Sequence, residues 1–153
     1  MKRFENLLAL VSGVALFVMM CLTFVDVIGR KFFQASLVGG LELTEIAMLL
    51  TIFFALPLTS IAGEHIVFDV LDRVVPPWMR HLQHTIAHLV AALLFFGGAW
   101  VVHLRAARAL EYGDVTAQLG IPLGPFQYLI TVMLALTGII HVLLALRRIE
   151  EHR

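Results

Sequence analysis

The chain has 153 residues, of which 60% are hydrophobic and only 14% charged, against roughly 25% charged in an ordinary soluble domain. A water-soluble fold of this length hides only about 70% of its unfolded surface, and the surplus would stand as large apolar patches, so an all-α integral membrane protein is expected. Eleven basic residues balance eleven acidic ones, leaving no net field to attract nucleic acid, and the single cysteine, Cys21, excludes an internal disulfide or a cysteine-built metal cluster.

The start, Met1-Lys2-Arg3 followed by an apolar run from Leu7 to about Val25, resembles a secretory signal. Its length exceeds the roughly 7 to 15 residues of a signal's apolar region, so it reads as a retained first span. Four apolar segments follow one another, Leu7 to Ile28, Leu41 to Ala62, Leu82 to Leu104 and Leu123 to Leu146. Each is close to the roughly 20 residues that cross a hydrocarbon core as a helix. Every backbone amide in lipid needs a partner within its own segment, and the runs are continuous rather than alternating, which favours helices over a barrel. Residues 1–153 form a single four-helix transmembrane domain on this reading.

The links carry the charge and the turn formers. With the N-terminus cytoplasmic, the inner side holds Lys2, Arg3, Arg73, Arg80, Arg147, Arg148 and Arg153, and the outer side Arg30, Lys31, Arg105 and Arg108. This excess places both termini inside. In the second link, His65 to Val74, the apolar positions Val67, Val70, Leu71 and Val74 share one helical face. The segment can lie along the interface, stopped by Pro76-Pro77, or simply extend the second span.

Ionisable groups avoid the middle of the spans. Asp26 and Arg30 are one turn apart at the end of the first helix and can pair. Glu42 and Glu45 occupy the first turns of the second helix, where the dipole tolerates anions. Arg30, Lys31, Glu42 and Glu45 should lie at similar depth, so an ion-pair cluster locking two helices is expected. A proton or cation site at Glu45 is the functional alternative, and contact with a partner is another. His88 and His141 fall at comparable depths by helical rise, and facing imidazoles could clamp a b-type haem; His103 has no evident partner. Thr131, Ala135, Gly138 and His141 share one face of the fourth helix, and Ala87 with Ala91 offers the third a small surface for close approach. Pro57 should kink the second span. No phosphate loop, zinc-protease motif or nucleophile elbow is present.

In order along the chain, Asp26-Val27-Ile28-Gly29-Arg30-Lys31-Phe32-Phe33, Glu42-Leu43-Thr44-Glu45-Ile46-Ala47, His65-Ile66-Val67-Phe68-Asp69-Val70-Leu71 and Leu119-Gly120-Ile121-Pro122 resemble the DctQ-like small membrane subunit of tripartite ATP-independent periplasmic (TRAP) transporters. The chain departs from that pattern at Gly39-Gly40-Leu41, where an aromatic residue is usual, and at Leu56-Pro57-Leu58, where a glycine-containing run is common. The resemblance implies a non-catalytic subunit of a sodium-driven secondary transporter for organic acids, in the bacterial inner membrane. Its implied partners are the large membrane subunit, which carries the transport sites, and a periplasmic substrate-binding protein; no cofactor is implied. Asp26, Arg30, Glu42, Glu45, His65 and Asp69 are then candidates for structural or partner contact. The alternative is a haem-binding membrane anchor of an oxidoreductase, resting on His88 and His141.

Overall fold

The computed structural model describes residues 2–62 and 77–150, which contain four helices: α1, Lys2–Phe33; α2, Gly40–Ala62; α3, Pro77–Tyr112; and α4, Gly124–Glu150. All four are long and apolar enough to cross a membrane, so the chain is an all-α, multi-pass membrane protein. Among the described residues the only β-type pairing is an isolated bridge between Val115 and Pro122. The candidate residues His65 and Asp69, and the expected interfacial segment of the second link, lie outside the described residues.

The helices pack in a row: α1 against α2, α2 against α4, and α4 against α3. Burial follows that order, since the most apolar stretches of α1 and α3 are each 11% buried, those of α2 and α4 17% and 22%. The α1 seam runs through Leu8, Ser12, Ala15, Met19, Leu22, Asp26 and Gly29, while most neighbouring positions are exposed. Alternating steps of four and three residues make this a heptad-like stripe, the spacing of left-handed helix pairs. Ser12 Oγ donates to the Thr51 carbonyl across the α1–α2 contact at 3.1 Å.

The same step recurs in α3 at His88, Ala92, Phe95, Ala99, Val102, Ala106 and Ala109. Ala92, Ala99 and Ala106 are buried, one per heptad, which lets α4 approach closely. The expected small surface at Ala87 and Ala91 is not the one used; Ala87 is exposed. On α4, a Cβ added to Gly138 would stand 3.1 Å from the Phe96 ring, so this glycine is where the two helices approach.

Helix α3 outruns its apolar stretch, and helix α2 runs through an internal proline. α3 has 36 residues, about 54 Å at 1.5 Å per residue, and continues through the part of the third link expected to be loop. Hydropathy fades at Arg105, but Arg105 to Glu111 is rich in strong helix formers, and Ala106 and Ala109 stay buried. Helix α2 passes through Pro57 without ending; the Thr59 and Ser60 hydroxyls both donate to the Leu56 carbonyl at 2.9 Å. Elsewhere Thr23, Thr44, Thr51, Thr131 and Thr137 each donate to the carbonyl four residues earlier at 2.8–2.9 Å, which satisfies a hydroxyl that lipid cannot.

Candidate functional site

Two polar assemblies tie α2, α3 and α4 together, one at each end. At the end carrying the first and third links, α3 stops in a Schellman cap: Gly113 has φ +67° and Asp114 N–H donates to the Ala109 carbonyl at 2.9 Å. The link then folds into a tight hairpin. Thr116 N–H donates to Ile121 O at 2.9 Å and Leu123 N–H to Asp114 O at 3.0 Å, while Ile121 N–H donates to Thr116 Oγ1 at 3.1 Å. Gly120, at φ +65°, turns the chain back.

That hairpin aims its tip at the first turn of α2. The Glu42 side chain is buried, and its two oxygens accept the Gln118 and Leu119 amides at 2.6 and 3.0 Å. Gln118 Oε1 in turn accepts Gly39 N–H at 2.8 Å. An acid three residues after the N-cap usually reaches back to that cap's own N–H. Here Gln118 takes the cap amide, which leaves Glu42 to hold a loop 76 residues away in sequence. Gly39 has φ +72°, and a Cβ there would stand 2.5 Å from Leu119 Cγ. The departure from the family pattern at Gly39-Gly40 is therefore the seat of the third link.

The expected cluster of Arg30, Lys31, Glu42 and Glu45 does not form. Arg30 pairs with Asp26, whose other oxygen accepts Leu37 N–H at 2.9 Å, so this pair fixes the first link rather than a second helix. Lys31 and Glu45 are exposed. The acids of α2 thus divide: Glu42 is consumed inside the chain and Glu45 faces outward.

At the opposite end, nearer the termini, His141 is 3% exposed and Ser60 fully buried. His141 Nδ1 lies 3.1 Å from His88 Nδ1, and His141 Nε2 lies 3.4 Å from Ser60 Oγ. Phe95 stacks on the His141 ring at 5.4 Å between centroids. Because Ser60 Oγ donates to Leu56 O, the matching proton assignment is His141 Nε2–H to Ser60 and His88 Nδ1–H to His141. The network joins α2, α3 and α4 through one imidazole. Sequence reasoning found the two histidines by depth but missed Ser60, whose apolar neighbours hide its role.

This geometry corrects the haem alternative. Imidazole–metal bonds of about 2 Å on each side would hold the two nitrogens about 4 Å apart, whereas these sit at hydrogen-bond distance and His141 is capped by Phe95. Among the described residues no three His, Cys, Asp or Glu side chains gather as a metal site. His103 does have neighbours: Tyr128 meets its ring edge-on at 5.6 Å, and Trp100 lies at 6.3 Å.

Comparison with curated proteins finds no match. The family model described as tripartite ATP-independent periplasmic transporters, DctQ component, matches residues 19–151, a stretch that takes in the C-terminal part of α1, both polar assemblies and the helices they join. The chain therefore belongs to the DctQ family, the small membrane component of TRAP transporters.

Proposed function

We propose that the chain is a stationary, non-catalytic scaffold for the large membrane subunit of a sodium-driven transporter of organic acids. It sits in the bacterial inner membrane with both termini cytoplasmic, as the excess of basic residues on that side favours. A periplasmic binding protein delivers the substrate, and the sodium and substrate sites belong to the large subunit. The observation that carries this reading is the pinning of α2, α3 and α4 to one another at both ends. Glu42 ties α2 to the link between α3 and α4, and His141 ties α4 to α2 and α3. Sliding one helix past another would break charge-assisted or buried hydrogen bonds, which suits a fixed element better than a moving carrier.

The test is assembly. When this chain is co-expressed with the large membrane component of its transporter and purified through a tag on the latter, one copy of each should elute together in detergent. Recovery of the large component alone, with this chain running separately or only with itself, contradicts the proposal.

A further inference from the structure

Helix α2 is an inner member of the row, and among its described side chains only four are exposed: Leu41, Glu45, Met48 and Ile52. Steps of four, three and four residues put them on one stripe of the helix. Three are apolar, and the fourth is a carboxylate. Glu45 makes no hydrogen bond or ion pair within the described chain. Apolar side chains flank it on both sides, with Leu41, 72% exposed, toward the helix start and Met48 toward the middle. Phe32, Phe33 and Val38, at the same end of the molecule, are also strongly exposed, so apolar side chains continue at the depth of Glu45, beside the exposed Arg30 and Lys31.

Resting on the scaffold reading above, we propose that this stripe is the contact face for a membrane helix of the large subunit, and that an arginine or lysine of that helix pairs with Glu45. Charge decides between the possible occupants. Lipid tails would leave a carboxylate against hydrocarbon with no hydrogen-bond partner, an arrangement that membrane proteins avoid. A second copy of this chain would meet it across a two-fold axis along the membrane normal. That symmetry brings both Glu45 side chains to the same depth on facing stripes, setting like charges together in a low dielectric. A heterologous partner with a cation at that depth satisfies the acid and covers the apolar positions around it. Glu42, three residues earlier, cannot serve, because its oxygens are already taken.

The experiment uses the co-expressed pair, with the tag on the large subunit. Wild type, Glu45→Gln and Glu45→Lys are compared for the amount of this chain retained, and a photoreactive benzoylphenylalanine replaces Met48. Retention is expected to fall severalfold for Glu45→Gln and at least tenfold for Glu45→Lys, with the photoadduct at 48 joining this chain to the large subunit. Glu45 makes no hydrogen bond or ion pair among the described residues, so the isolated Glu45→Lys protein should melt as wild type does. Full retention of Glu45→Lys, or a photoadduct only to lipid or to a second copy of this chain, overturns the inference while leaving the scaffold reading intact. Failure of the wild-type pair to assemble overturns both.

Discussion

Replacing Gly39 by valine is expected to unseat the third link from α2 and to lower the melting temperature in detergent more than any other single change at that end. Two costs combine. A β-branched residue held at φ +72° carries backbone strain of about 1–3 kcal/mol, and its Cβ would start within 2.5–2.6 Å of three Leu119 side-chain carbons, adding overpacking of about 1–3 kcal/mol. Relief by rotating Leu119 away would expose the Gln118 amide bonds to competition from water. The two contributions can be separated. Adding Leu119→Ala to Gly39→Ala should recover the steric part and leave the strain, so the double variant is expected to melt between Gly39→Ala and wild type. A Gly39→Val protein as stable as wild type would mean that the link does not sit on α2 in this way.

The second large effect is at Glu42. Alanine there removes both carboxylate oxygens that accept the Gln118 and Leu119 amides, and bonds to a charged acceptor are the stronger kind. The hairpin tip should then detach locally while the helices remain. Hydrogen exchange at Gln118 and Leu119 is expected to quicken by roughly tenfold or more, with helical exchange in the middle of α4 little changed. Glu42→Gln should fall between, because its carbonyl oxygen can still accept one amide. Gln118→Ala, which deletes only the acceptor for Gly39 N–H, should cost about 1 kcal/mol, the usual worth of one neutral hydrogen bond. Unaltered exchange at 118 and 119 in Glu42→Ala would show that other groups hold the tip.

The two acids of α2 mark what sequence reasoning could and could not reach. Their placement near the helix start follows from the dipole, but position in the helix says nothing about which of two nearby faces meets a neighbour. Glu42 and Glu45 differ by only about 60° of helical rotation, and that small angle separates a buried clasp from an outward stripe. The partners of Glu42 are backbone amides, which leave no trace in residue type. Asp26 and Arg30, by contrast, were legible because an i,i+4 pair needs only the local helix.

Helix limits divide in a similar way. The second span, expected from Leu41 to Ala62, is observed as Gly40–Ala62, its start set by the glycine pair Gly39-Gly40. Apolar character alone ends the third at Leu104, whereas alanine propensity and packing carry the helix to Tyr112. Helical rise placed His88 and His141 side by side, but the chemistry of a pair depends on separation, and 3.1 Å makes them hydrogen-bond partners.

Sodium-driven uptake in liposomes tests the division of labour most directly. The large membrane component, this chain and the binding protein are reconstituted together, and then with each membrane chain omitted in turn. Uptake of the organic acid under an inward sodium gradient is expected only when both membrane chains are present, with none from this chain and the binding protein alone. Transport by this chain without the large component, or full transport by the large component without this chain, would contradict the scaffold role.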